Sequence, residues 1–168
     1  MKITTTGLSL LEVKATYPDC FYGQSWYEDE SFATEKPPAG AWEFDFTSEH
    51  TGKTFKEQKE LVGDTVPHPA VLAEALCIHF KETGERLMSN WYSRTSSLGS
   101  GGNRVDVGYF DAGGLYVGSY WNDDRSDFIG LSSARKLDTG TLEPIENLSL
   151  EKAIEVVKGA GYKVVKEI

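Results

Sequence analysis

Two runs of alternating apolar residues on either side of a glycine pair constrain the fold of this chain more than any other feature. The runs RVDVGYF (104–110) and GLYVGSYW (114–121) flank Asp-Ala-Gly-Gly, whose glycines permit the positive φ angles that tight turns need. With a period of two, Val105, Val107 and Tyr109 share one face of the first run. The stretch therefore predicts an antiparallel hairpin with one face turned towards a core.

The clearest helix signal lies upstream of this hairpin, in PAVLAEALCIHFKETG (69–84). Pro69 suits the first helical turn and Gly84 suits the C-terminal cap, while apolar residues recur at helical spacing between them. His79 lies on that apolar stripe and is expected to be a core histidine. Capping boxes, alternation and chain breakers predict the other elements: short helices near 10–16 and from 54 to Gly63, strands at 41–46, 90–97 and 127–137, and a helix from Ser149 to about Lys158 followed by a last strand.

The order of these elements predicts an α+β fold. Short N-terminal helices and one main helix are expected to pack on a largely antiparallel sheet. A length of 168 residues suits a single globular domain spanning 1–168. Within it, 1–87 is predicted to be helical or irregular, 88–137 to be rich in strands, and 148–168 to form a C-terminal helix and strand.

The net charge of −9 restricts the partners of the chain. An acidic surface repels phosphate groups and no basic stripe offsets it, so neither nucleic acid nor an anionic membrane is expected as a partner. The absence of a long apolar run and of a secretory signal favours a cytoplasmic protein. Cys20 and Cys77 have no metal-ligand spacing and are expected to be free, buried thiols, with pairing across the fold as the alternative.

The stretch GSYWNDDRSDF (118–128) is the best candidate for a binding site, because it sets aromatic rings against acids, an amide and an arginine. Aromatic rings supply contact area at a low entropic cost, and the polar groups orient a ligand. A sugar, a peptide or a protein partner would suit this combination. The alternative is a solvated turn whose Asn and Asp side chains bond to their own backbone. The candidate ligand-binding residues are Tyr116, Tyr120, Trp121, Asn122, Asp123, Asp124, Arg125 and Asp127.

Trp121-Asn122-Asp123 resembles the Trp-Asn-Asp triplet that closes a strand in C-type lectin domains, where it binds calcium and, through calcium, sugar hydroxyls. The wider run 104–136 resembles C-type-lectin-like ligand-binding proteins that are diversified by retroelements and need no calcium. The resemblance implies a C-type-lectin-like fold with its binding face at the strand ends. If a metal binds, it implies calcium on Asn122 and Asp123, whose oxygen atoms suit a hard cation. The chain departs from calcium-dependent lectins in lacking their upstream Glu-Pro-Asn motif.

Two other hypotheses remain open. In the first, Glu28, Asp29 and Glu30, beside Trp26, supply a carboxylate pair for glycoside hydrolysis, which requires a carboxyl group with a raised pKa in a cleft. In the second, the chain is an accessory protein of a mobile element or phage that acts through protein contacts. A deep pocket at the acids would favour the enzyme, and a flat aromatic patch would favour the partner surface. The sequence assigns no catalytic residue.

Overall fold

The computed structural model describes residues 1–47 and 50–137. The predicted helix from Ser149 and the strand after it lie outside the described residues. Four α-helices and seven β-strands occur within them: β1 (Lys2–Thr5), α1 (Leu10–Thr16), α2 (Ser31–Thr34), β2 (Gly40–Asp45), α3 (Phe55–Val62), α4 (Pro69–Thr83), β3 (Tyr92–Leu98), β4 (Arg104–Asp111), β5 (Gly114–Tyr120), β6 (Ile129–Gly130) and β7 (Ser133–Lys136).

The strands form two sheets, and the predicted α+β fold is confirmed. The first sheet has the order β1-β2-β7 and is antiparallel throughout. The second has the order β5-β4-β3-β6, with antiparallel pairs except for β6, which runs parallel to β3. The predicted hairpin is the β4–β5 pair. No helix in the described part of the chain has the length and apolar character needed to cross a membrane.

The single strand predicted over 127–137 is wrong, because this stretch contains two short strands in different sheets. β6 pairs with β3 of the second sheet, and β7 pairs with β2 of the first. Between them the Ser132 backbone N–H donates to the Ser93 side-chain hydroxyl at 2.7 Å. The segment therefore leaves the ladder of one sheet before it joins the other.

Helix α4 lies at the centre of the core. It packs against α1 and β1 on one side and against β4 and β3 on the other. The predicted boundaries are confirmed, since His68 caps the first turn and Gly84 ends the helix in a left-handed conformation. Every residue of 69–77 is buried, including Glu74, which accepts hydrogen bonds from the Thr6 backbone and hydroxyl. The single apolar stripe predicted from the sequence is therefore too narrow, because the first half of the helix is buried on all sides.

The two short helices predicted from capping boxes are also confirmed. Ser9 and Glu12 bond reciprocally at the start of α1, and Thr54 and Glu57 do the same at the start of α3. Both cysteines are free and buried, as expected.

The irregular segment 21–26 covers the edge of β5 that does not pair with another strand. The Tyr22 backbone N–H donates to the Leu115 carbonyl at 3.0 Å, and the Gln24 side chain accepts from the Val117 N–H at 3.1 Å. The Trp26 indole N–H then donates to the Val117 carbonyl at 2.9 Å. An edge strand satisfied in this way is protected from pairing with another chain.

Candidate functional site

A row of three residues crosses the second sheet, and two of them, Asp106 and Gly118, form the floor of the candidate site. Arg94 on β3 pairs with Asp106 on β4, which pairs with Gly118 on β5. Gly118 has no side chain, and the Asp106 carboxyl occupies the place that a Cβ atom on this glycine would need. The absence of a side chain on β5 therefore lets the carboxyl lie flat across the sheet.

Above this row lies a cavity of about 450 Å³. Its size falls within the range of pockets that hold small ligands. Four aromatic side chains contribute to its walls, from three different strands and from the segment after β5. We call it the Asp106 cavity, and its lining residues are Tyr92, Asp106, Tyr109, Gly118, Ser119, Tyr120, Ser126, Phe128 and Ile129.

Asp106 is a buried carboxyl group with unusual proton affinity. Only 3% of the residue is exposed, and burial raises its pKa to about 7. The Arg94 charge and a hydrogen bond from the Gly118 backbone act in the opposite direction but do not outweigh burial. Burial, together with the nearby Asp106 charge, raises the pKa of Tyr92 to about 12. At neutral pH both protonation states of Asp106 are therefore populated, while Tyr92 stays neutral.

Arg94 holds together the segments that surround the cavity. The residue is completely buried. Its Nη1 donates to the Lys53 carbonyl at 3.0 Å and to Gln58 Oε1 at 2.7 Å. Its Nη2 donates to the carbonyls of Trp121 and Asp124, at 3.0 and 2.7 Å. The guanidinium group thus ties the α3 region to the chain that follows β5.

A β-bulge places Tyr109 in the cavity. The β4–β5 register shifts between Gly108 and Asp111, and both Gly108 (φ 153°) and Tyr109 (φ 47°) have positive φ. A Cβ atom on Gly108 would collide with the Trp91 carbonyl, so only glycine fits there. The prediction that Tyr109 shares a face with Val105 and Val107 is therefore wrong. The bulge turns its ring to the opposite face, where it stacks on Tyr92 with 5.3 Å between centroids.

Three of the predicted binding residues are aromatic, and they lie in different environments. Tyr120 lines the Asp106 cavity. Tyr116 lies outside it, stacked on Tyr22 with 4.2 Å between ring centroids and edge-on to Tyr109. Trp121 is 57% exposed, and its carbonyl is one of the Arg94 acceptors. Tyr92, Tyr109 and Tyr116 are in successive ring contact on one face of the second sheet, and Tyr120 borders the same cavity as Tyr92 and Tyr109.

The polar residues predicted at 122–127 either bond to other elements of the fold or face solvent. Asn122 Oδ1 accepts a hydrogen bond from Arg104 Nε at 2.8 Å. Arg125 donates to Glu57 at 2.6 Å, and this bond lowers the pKa of Glu57 to about 2. Asp123 and Asp127 are exposed. The structure thus brings Tyr120 to the cavity and leaves these polar side chains at or beyond its rim.

The calcium ligands suggested by the resemblance are not gathered into a metal site in the described part of the chain. No three His, Cys, Asp or Glu side chains come together there in a group able to hold a metal ion. The Asn122 amide oxygen, one of the two suggested ligands, is occupied by Arg104. A calcium ion at Asn122 would have to displace that guanidinium group.

The acidic loop at 28–30 has structural partners of its own. Glu28 pairs with Lys14 at 2.8 Å. Glu30 accepts from the Ser100 backbone at 2.8 Å and from the Ser100 hydroxyl at 2.7 Å, which ties the loop before β4 to the N-terminal region. None of these acids lines the Asp106 cavity.

Sequence reasoning missed the carboxyl group at the floor of the cavity. Asp106 interrupts an apolar run between Val105 and Val107, and an acid at that position of a strand marks either an exposed face or a site. The signal was present, but a period of two alone assigns such a residue to the solvated face. In the folded chain, residues of β3 and β5, the bulge at Gly108 and the segment after β5 enclose Asp106 on that face.

Comparisons with models of protein families, with curated proteins and with solved structures found no match to this chain.

Proposed function

We propose that this chain is a non-enzymatic binding module that holds a small ligand, or a side chain of a protein partner, in the Asp106 cavity. The observation that carries the proposal is a nearly buried carboxyl group at the base of an aromatic cavity of about 450 Å³. Ligand sites are typically apolar concavities with a few convergent polar groups. The proposal keeps the predicted binding surface at the end of β5 and moves its centre from the 122–127 turn to Asp106.

Hydrogen bonds and strand pairing fix the walls of the cavity, and this pre-organisation supports a role in ligand binding. The Arg94 hydrogen bonds fix the positions of Trp121 and Asp124, and therefore of the chain that leads to Phe128. Ile129 is buried in the pairing with Tyr92 on β3. A pre-organised cavity loses less free energy on ordering when it takes up a ligand.

Saturation-transfer NMR with a panel of small probes tests the proposal. The panel contains tetramethylammonium, choline, N-acetylglucosamine and phenol. We expect at least one probe to bind the protein, and replacement of Phe128 by alanine to weaken that binding about tenfold, or about 1.4 kcal/mol. Phe128 is 60% exposed, so the variant should fold normally.

The matched control is Leu61→Ala, which removes an apolar side chain of similar exposure (56%) from α3, outside the cavity. Binding should be the same in Leu61→Ala and in the unmodified protein. Equal binding in Phe128→Ala and Leu61→Ala, or no binding of any probe, would contradict the proposal.

One observation favours a second candidate, an enzyme in which Asp106 acts as a general acid or base. A carboxyl group with a pKa of about 7 in a cleft is suited to proton transfer near neutral pH. Within 1–47 and 50–137, however, Asp106 is the single carboxylic acid that lines the cavity, and no His, Lys or Cys of these ranges lines it. A probe recovered unchanged after long incubation supports the binding module, and a converted probe supports the enzyme.

A further inference from the structure

We propose that the ligand of the Asp106 cavity is an organic cation, an alkylated ammonium group held by the Asp106 carboxylate and the surrounding aromatic rings. This inference rests on the proposed binding function and names its ligand class. Quaternary and methylated ammonium groups are recognised in proteins by aromatic side chains that enclose them, often beside a carboxylate.

The charge inside the cavity favours a cationic ligand. Among the described residues that line the cavity, Asp106 is the only one with a carboxyl or a basic side chain, and only 3% of the residue is exposed. No ion pair within 4.0 Å includes Asp106 among the described residues. A buried carboxylate without an ion-pair partner is costly, and a bound cation removes that cost.

Arg94 does not supply the ion-pair partner that the Asp106 carboxylate lacks. Its guanidinium group is directed to the Lys53, Trp121 and Asp124 carbonyls and to the Gln58 amide oxygen, all at 2.7–3.0 Å. Arg94 is not among the residues that line the cavity. Its charge lowers the proton affinity of Asp106 from the neighbouring strand, while Asp106 itself lines the cavity.

The aromatic walls of the cavity also favour an alkylated cation. Tyr92, Tyr109, Tyr120 and Phe128 surround the space above Asp106. Aromatic rings attract a cation through the negative potential of their faces, and alkyl groups on the nitrogen gain apolar contact with the same rings. A strongly hydrated anion gains neither, and the Asp106 charge would repel it. The net charge of −9 on the chain further favours the approach of a cation.

Proton binding competes with cation binding at this site. The titratable and charged groups that face Asp106 are Arg94 and Tyr92 from β3, Tyr109 from β4 and Tyr120 from β5. Burial holds Asp106 protonated up to about pH 7, whereas Tyr92 stays neutral far above that pH. As the pH increases towards 7, the affinity for a cation should therefore increase about tenfold per pH unit. Above pH 8 the affinity should level off.

The test compares choline with 3,3-dimethylbutan-1-ol, its neutral analogue of the same shape, by NMR titration at pH 6 and pH 8. We expect choline to bind at least tenfold more tightly than the alcohol at pH 8, and this preference to shrink at pH 6. In Asp106→Asn the preference should disappear, while the alcohol binds as before. In Asp123→Asn, which removes an exposed carboxylate of the neighbouring turn, the preference should persist.

The outcomes separate this inference from the proposed function. If the alcohol binds as tightly as choline and Phe128→Ala weakens both, the binding module stands and the cation is wrong. If neither compound binds, and no other probe of the panel does, both proposals are wrong. A peptide with a trimethylated lysine that binds more than tenfold more tightly than choline would identify a protein partner as the source of the ammonium group, and equal affinity would identify a free small molecule.

Discussion

Replacing Arg94 with methionine should lower the free energy of unfolding by about 3–5 kcal/mol, the cost typical of removing one partner from a buried charged network. Methionine fills much of the volume of the arginine stem but offers no hydrogen-bond donor. The carbonyls of Lys53, Trp121 and Asp124 and the amide oxygen of Gln58 would lose a donor, and solvent cannot replace it at the fully buried Gln58. Urea denaturation, followed by far-UV circular dichroism, measures the change.

Arg104 provides the matched control for this prediction. It also lies on the outer face of the second sheet, where it donates to the Thr95 and Ser96 carbonyls and to Asn122, but it is only partly buried. Solvent can replace its hydrogen bonds, so Arg104→Met should cost about 1 kcal/mol. Arg94→Lys should lie between the two, because a lysine keeps the charge and cannot span four acceptors. Equal costs for Arg94→Met and Arg104→Met would contradict the central role of Arg94.

The Asp106→Asn variant should be more stable than the unmodified protein above pH 7 and equally stable near pH 4. Folding raises the pKa of Asp106 from an ordinary value of 3.8 to about 7, so the folded state holds a proton that the unfolded state has lost. The favourable contribution of this group is complete below about pH 4 and is lost as the pH rises to 7. The difference between the two proteins should approach a limit on the order of 4 kcal/mol above pH 8.

Thermal or urea unfolding of both proteins at pH 4, 6 and 8 measures this difference. Asp123→Asn is the control, because its carboxylate is exposed and its removal should leave the pH dependence unchanged. Parallel pH profiles for Asp106→Asn and the unmodified protein would show that Asp106 is solvated. Addition of choline at pH 8 should stabilise the unmodified protein more than Asp106→Asn, which joins this prediction to the proposed ligand.

The sequence predicted those elements whose ends are marked by neighbouring residues. The helix α3 begins at a capping box from Thr54 to Glu57 and ends at Gly63, and α4 lies between Pro69 and Gly84. These signals act within one helical turn, so no distant contact is needed to interpret them. The β4–β5 hairpin is equally local, since a short turn with glycines joins two alternating runs.

Alternation predicted β2 and β3 to within two residues, but two other features that depend on distant pairing were not predicted. The short strand β1 was missed, because its identity as a strand comes from pairing with β2. The stretch 127–137 was predicted as one strand, although β6 and β7 pair with partners in different sheets. Alternation indicates that a segment can be extended, but which sheet it joins depends on the free energy of contacts made across the whole chain.

The same distinction between features set by neighbouring residues and features set by distant contacts applies to single residues of the candidate site. The sequence alone determined the α+β class, the boundaries of α1, α3 and α4, the hairpin and the aromatic residues near the end of β5 that include Tyr120. Only the tertiary structure decided that Asp106 lies inside a cavity and that Tyr109 joins it there. The physical reason is that helix caps and turns depend on neighbouring residues, whereas burial of the Asp106 carboxyl group requires three strands and a distant segment to meet around it.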